Sequence, residues 1–225
     1  SGVFESKFKV ATDPRILKVS GDDFNVVTGL ASGKVVMSTP QSVQIWEKLL
    51  QGNVVDLAVI PHLQPQVLVV HHSMKKGKRD GQKLSLLKDG NILKEWDLPF
   101  HAEQIHVEPK SKRFVLYANN PYGQRLVQFT IEEEKLIEKW KFEERHFADF
   151  SSTPVFAGGE VWSGFEDVPQ AIGLERVNHL FGFSPEGKLL YDLPLRPEDG
   201  AFLFGVSSKG PERFLYVATD QNRLE

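Results

Sequence analysis

The sequence predicts an all-β protein assembled from repeated four-stranded units, and three observations predict it. A tight polar turn followed by a short strand with one large aromatic occurs four times. Between the copies lie strand-like runs of four to eight residues, rich in Val, Ile, Leu, Phe and Tyr and bounded by Gly, Pro, Asn or Asp. No long stretch keeps the apolar period of about 3.6 residues that marks an amphipathic helix.

The four copies are "TPQSVQIWEKLL" with Trp46, "KDGNILKEWDLP" with Trp96, "EEEKLIEKWKFE" with Trp140 and "SPEGKLLYDLPL" with Tyr191. Their aromatics are spaced by 50, 44 and 51 residues, near the period of about 40–50 expected of propeller blades. The first unit carries "TDPRILKVSGDDFNVV" before its turn at "GLASGK". The second supplies "VVDLAVI", "QVLVVHH" and "KLSLL"; the third supplies "EQIHV", "RFVLYA" and "RLVQFTI". In the fourth, "FADFSSTPVF", "EVWSGF" and "HLFGF" precede the aromatic strand. "EEEKLIEKW" has helix-like composition, but it falls where its repeat mates put the outer strand. "AFLFGV", "RFLYVA" and "NRLE" begin a fifth unit, and "FESKFKV" near the N-terminus offers the missing strand, with Phe8 at the aromatic position. The predicted fold is a single five-bladed β-propeller over residues 1–225, with four-stranded blades and the last closed by the N-terminal strand. Closure of that kind removes exposed sheet edges.

Composition narrows the function classes. Of 225 residues, 40% are hydrophobic and 25% charged, ordinary for a globular protein. A net charge of −3 gives no reason to expect nucleic-acid binding, and no apolar run reaches the roughly 18–20 residues of a transmembrane segment. There is no cysteine, which removes disulfides, thiol catalysis and Cys-ligated metals and fits an oxidising compartment. The chain opens on Ser1-Gly2, which reads as a processed or excised piece of a longer protein.

"STPVFAGGEVWSGFED" followed by "HLFGFSPEGKLLYDLPL" resembles the repeat of quinoprotein-like (PQQ-type) propellers over residues 152–195. That family includes dehydrogenases and non-catalytic scaffolds of the bacterial envelope. The adjacent cysteines that often lie beside the quinone are absent here, so the resemblance implies the scaffold branch, no cofactor, and a periplasmic or extracellular bacterial setting. A second resemblance joins "TDPRILKVSGDDFNVV" and "STPQSVQIWEKL" to the first blade of five-bladed arabinan- and xylan-cleaving glycosidases. It implies a general base at Asp13.

Glycoside hydrolysis needs two carboxylates flanking the scissile bond. Inner strands line a propeller channel, so Asp13, Asp56, Glu103 and Asp149, at or near the inner strands of blades one to four, form the candidate set. Asp before Pro also initiates turns, and inner-strand acids also bond backbone. His71, His72, His101 and His106 lack a metal-binding spacing and read as ordinary hydrogen-bonded histidines, so no metal is expected. No G-x-S-x-G elbow, P-loop or dinucleotide fingerprint is present.

The two longest connections each follow the second strand of a blade and so belong to one face of the predicted propeller. "SMKKGKRDGQK" (73–83) carries Lys75, Lys76, Lys78 and Arg79; "GFEDVPQAIGLERVN" (164–178) carries Phe165, Val168, Ile172 and Leu174. Variable loops on a regular scaffold are where binding concentrates. The leading expectation is therefore a non-catalytic scaffold that binds another protein through these eight residues; the alternative is a carbohydrate-active or carbohydrate-binding propeller that takes a glycan.

Overall fold

The computed structural model describes residues 16–21, 25–60, 65–108, 111–120, 123–144, 147–149, 154–167, 178–195, 203–209 and 212–218. The predicted closing strand around Phe8 and the run "NRLE" lie outside them. The chain divides into two compact units, residues 1–105 and 106–225.

The first unit contains two antiparallel sheets of four strands, each in sequential order. One comprises β1 (Ile16–Gly21), β2 (Val26–Leu30), β3 (Lys34–Ser38) and β4 (Gln44–Leu49). The other comprises β5 (Val54–Ile60), β6 (Gln66–Lys75), β7 (Lys78–Lys88) and β8 (Asn91–Leu98). The turn predicted at "GLASGK" joins β2 to β3. The β7–β8 turn is Asp89-Gly90, with φ of 51° and 75°, the left-handed pair that a two-residue hairpin needs to match strand twist. Alternation then sends Val67 and Val69 of β6 and Leu87 of β7 into one buried cluster with Val27, Val35 and Met37 of the first sheet.

A third sheet has the order β12–β11–β10–β9. Its first strand, β9 (Gln104–Val107), crosses the boundary between units; β10 (Arg113–Asn120), β11 (Gly123–Glu132) and β12 (Lys135–Glu144) follow. The helix-like "EEEKLIEKW" is thus the end of β11, the Glu133-Glu134 turn and the first six residues of β12. Ladder pairing with β11 and burial of Trp140 outweigh its local helix propensity.

The fourth sheet has five strands: β13 (Phe147–Asp149), β14 (Val155–Ala157), β15 (Glu160–Asp167), β16 (Asn178–Phe183) and β17 (Leu189–Leu195). The run 147–156, read above as one strand, is two short strands that both pair with β15. Pro154, just before β14, has no N–H to continue a ladder. Residues of the third and fourth sheets, among them Tyr117, Leu126, Trp140, Phe165, Phe181 and Phe183, form one core. A last two-stranded sheet pairs β18 (Leu203–Lys209) with β19 (Glu212–Ala218).

All four repeat aromatics lie on the fourth strand of their sheets. Trp46 pairs with Met37, Trp96 with Leu84, Trp140 with Gln128 and Tyr191 with Gly182. Each of these ladders also holds a β-bulge; at Ile45, Lys139 and Leu190 the extra residue immediately precedes the aromatic. A bulge re-aims the side chain beside it.

Candidate functional site

The basic segment 73–83 is a β-hairpin rather than a loop. β6 and β7 pair out to Lys75 and Lys78, and the turn is Lys76-Gly77, with φ of 51° and 77°. A two-residue turn of this hand suits a hairpin, and pairing resumes at Met74 and Arg79 after an irregularity beyond His72 and Gln82. A Cβ built at Gly77 would meet nothing within 4 Å, so the tip stands in open space. Lys75, Lys76 and Lys78 are exposed. Lys75 and Lys78 are directly opposed across the ladder, an arrangement of like charges that destabilises a sheet. The acid paired there is Asp80, 3.7 Å from Lys75. Arg79 pairs with Met74 through its backbone, and its side chain lies outside the description.

At the root of the hairpin a buried polar chain crosses three strands. His71 is 2% exposed and Ser85 fully buried. His71 Nε2 is 2.8 Å from Ser85 Oγ, and Ser85 Oγ is 2.9 Å from Glu95 Oε1. His71 Nδ1 lies 3.1 Å from the carbonyl oxygen of His72. Lys83 Nζ is 3.7 Å from the other Glu95 oxygen. Burial holds the His71 pKa below its ordinary 6.5, while the His72 carbonyl and the Glu95 charge pull upward against it. Gly52 makes room for this arrangement, because any Cβ there would overlap the His72 carbonyl. Nothing in the spacing of residues 71, 85 and 95 announces the chain, since ladder register alone brings them together.

The carboxylate set divides differently. Asp56 is 3% exposed. Its Oδ1 accepts from the Leu57 N–H at 2.8 Å and its Oδ2 accepts from the Ile105 N–H at 2.9 Å. A buried carboxylate with both oxygens on backbone donors ties β5 to β9. Glu103 is exposed and precedes β9. Asp149 is on β13 with its side chain outside the description, and Asp13 lies outside the described residues altogether. His101 is exposed and His106 half-buried. Among the described residues, no three His, Cys, Asp or Glu converge as a metal set, and no helix is long and apolar enough to cross a membrane.

The apolar segment 164–178 also needs correction. β15 runs through to Asp167, and Phe165 is fully buried. Its ring packs edge-on to Phe142 at 5.5 Å and lies 5.0 Å from Phe181. Phe165 therefore belongs to the core of the second unit, because strand alternation points it inward with Val161. Val168, Ile172 and Leu174 lie outside the described residues.

No family model matches the chain, and no curated protein does. Solved structures are similar in fold. Hydrazine synthase from Kuenenia stuttgartiensis matches with a TM-score of 0.67 at 12% identity, over 90% of this chain and 61% of that one. BBS1N, solved in complex with ARL6DN, matches at 0.61 with 11% identity, over 92% and 61%. The WD40 β-propeller domain of Doa1 matches at 0.58 with 13% identity, over 92% and 61%. The chain thus spans about three fifths of the length of each. Identities this low carry no activity across, and what the likeness shows is the fold: the chain has the β-propeller fold.

Proposed function

We propose that this chain is a non-catalytic β-propeller that acts as a protein-interaction scaffold and takes an acidic partner on the β6–β7 hairpin. The carrying observation is the tip itself. Lys75 and Lys78 face each other with Lys76 between them, at a local cost in stability that a counter-charged partner would relieve. Ladder pairing reaches the tip at Lys75 and Lys78, so the backbone there needs little further ordering on docking. A similar fold in BBS1N, solved with ARL6DN, is consistent with a propeller used for protein capture. The backbone duties of Asp56 weigh against the glycan alternative.

We also propose that the propeller has five blades closed by the strand around Phe8. Four sheets of four or more strands precede the β18–β19 pair, and an isolated two-stranded hairpin is marginal without further strands.

The test is calorimetric titration with a Glu-rich peptide at low and physiological salt. Binding should weaken with salt and be lost in the Lys75→Gln, Lys76→Gln, Lys78→Gln triple variant, with the melting temperature nearly unchanged. A wild-type protein that ignores the peptide at low salt, or a variant that binds as well, overturns the hairpin assignment.

A further inference from the structure

The chain from His72 through His71 and Ser85 to Glu95 contains three short contacts: Nδ1 to the His72 carbonyl at 3.1 Å, Nε2 to Ser85 Oγ at 2.8 Å, and Ser85 Oγ to Glu95 Oε1 at 2.9 Å. Each needs one hydrogen. The carbonyl and an ionised carboxylate supply none. A neutral imidazole holds one and the serine hydroxyl one. Whichever tautomer His71 adopts, the chain is one proton short, and one contact sets lone pair against lone pair. An imidazolium fills all three.

We infer that this cluster is a proton-operated switch: His71 takes up a proton in mild acid, and the Ser85 hydroxyl turns its hydrogen from His71 to Glu95, whose other oxygen faces Lys83. Without the extra proton, Ser85 donates to Nε2 and the Glu95 contact is the one that fails. His71 and Ser85 are buried and have nowhere to turn, whereas the Glu95 side chain is 34% exposed and has Lys83 as a second partner. With the proton, Nε2–H donates to Ser85 Oγ, Ser85 O–H donates to Glu95, and a buried imidazolium faces a carboxylate at 3.5 Å. The charged groups whose fields reach His71 are Glu95 on β8 and Lys83 on β7. His72 contributes its carbonyl, Asp56 on β5 is committed to Leu57 and Ile105, and Lys34 and Glu47 of the first sheet pair with each other at 3.1 Å.

The output is the charge at the hairpin root. A neutral His71 leaves the Glu95 charge to Lys83; a charged His71 shares that carboxylate through its other oxygen and so adds one positive charge to the root below Lys76 and Lys78. Acid then tightens capture of an acidic partner. That consequence rests on the hairpin assignment above; the switch itself does not.

The experiment is a pH titration of isotopically labelled protein by NMR, following the two His71 ring nitrogens and the Glu95 carboxyl carbon. The expected result is a His71 midpoint below 6.5 with a matching inflection at Glu95, separate from the carboxyl's own titration. Ser85→Ala should shrink that inflection to the direct charge effect across 3.5 Å, while His71 still titrates. Glu95→Gln should move the His71 midpoint down by about one pH unit, because the carboxamide donates to Ser85 Oγ and completes the chain without the proton. A His71 that titrates while Glu95 stays silent, a coupling undiminished in Ser85→Ala, or an unmoved midpoint in Glu95→Gln overturns the switch. These outcomes are read without any peptide, so failure of the binding assay alone strikes only the hairpin reading.

Discussion

Gly187 lies against Trp140. A Cβ added to the glycine would sit 2.6 Å from the tryptophan Cβ and overlap the ring as well. The turn before β17 thus closes over the aromatic of β12, and Trp140 Nε1 donates to the Pro185 carbonyl of that turn at 3.1 Å. In the first unit Gly90, in the β7–β8 turn, lies against Trp46 of β4, with ordinary contact at 3.4 Å. In these two places a polar turn seats the aromatic of the preceding sheet, which gives their recurrence in the sequence a packing reason.

Substitution at the turn glycines should therefore scale with the neighbour. Gly77, Gly90 and Gly187 all have positive φ, so alanine costs each about 1–2 kcal/mol of backbone strain. Gly187→Ala adds overlap with Trp140 and should cost roughly 1–3 kcal/mol more. Urea unfolding of the three variants checks the ordering; equal losses would show that the turn yields freely.

Trp140→Phe should lose the hydrogen bond to Pro185 and part of the contact with Phe183, whose ring lies 5.5 Å away. Trp140→Ala should lose roughly 3–5 kcal/mol, as large buried aromatics do. Phe165→Ser should behave like Trp140→Ala rather than like a surface change, because Phe165 is fully buried. A melting temperature unchanged in Phe165→Ser would restore it to the surface.

Asp56→Ala should destabilise the first unit by about 1–3 kcal/mol for each backbone N–H left without an acceptor, namely those of Leu57 and Ile105. Hydrogen exchange at those two amides should accelerate together. Retained protection at Ile105 would mean that the tie to β9 is dispensable.

Acid should weaken the fold through His71. Its folded pKa is lowered by burial, so between that value and 6.5 the unfolded chain binds more protons than the folded one. The stabilisation from this group is complete above 6.5 and is lost as the pH falls from 6.5 through the folded value. The difference in urea stability between wild type and His71→Gln should shrink across that window, and a difference flat from pH 8 to 5 would contradict the direction.

The β11–β12 turn, Glu133-Glu134, has φ of 49° and 62° without a glycine. Replacing the pair with Asn-Gly should raise stability by about 1–2 kcal/mol, since it removes left-handed strain from two β-capable side chains and relieves an acidic run. Thermal melts of the variant measure the gain.

What the sequence by itself determined is local. Asp89-Gly90 dictates a two-residue hairpin through its backbone chemistry, the unbroken apolar run Val67–Val70 dictates a strand buried on both faces, and the spacing of Trp46, Trp96, Trp140 and Tyr191 dictates the length of each sheet-forming unit. These depend on a few neighbouring residues, so they can be read along the chain. The tertiary structure decided what depends on register. Ladder pairing extended β6 and β7 into a hairpin whose turn is Lys76-Gly77 and carried β15 through Phe165 into the core. It also placed His71 beside Ser85 and Glu95, and Asp56 beside the Ile105 amide 49 residues away. Cross-strand neighbours are set by how whole strands align, and a shift of one residue turns every side chain to the other face. No stretch of sequence short enough to be read as a motif contains that information.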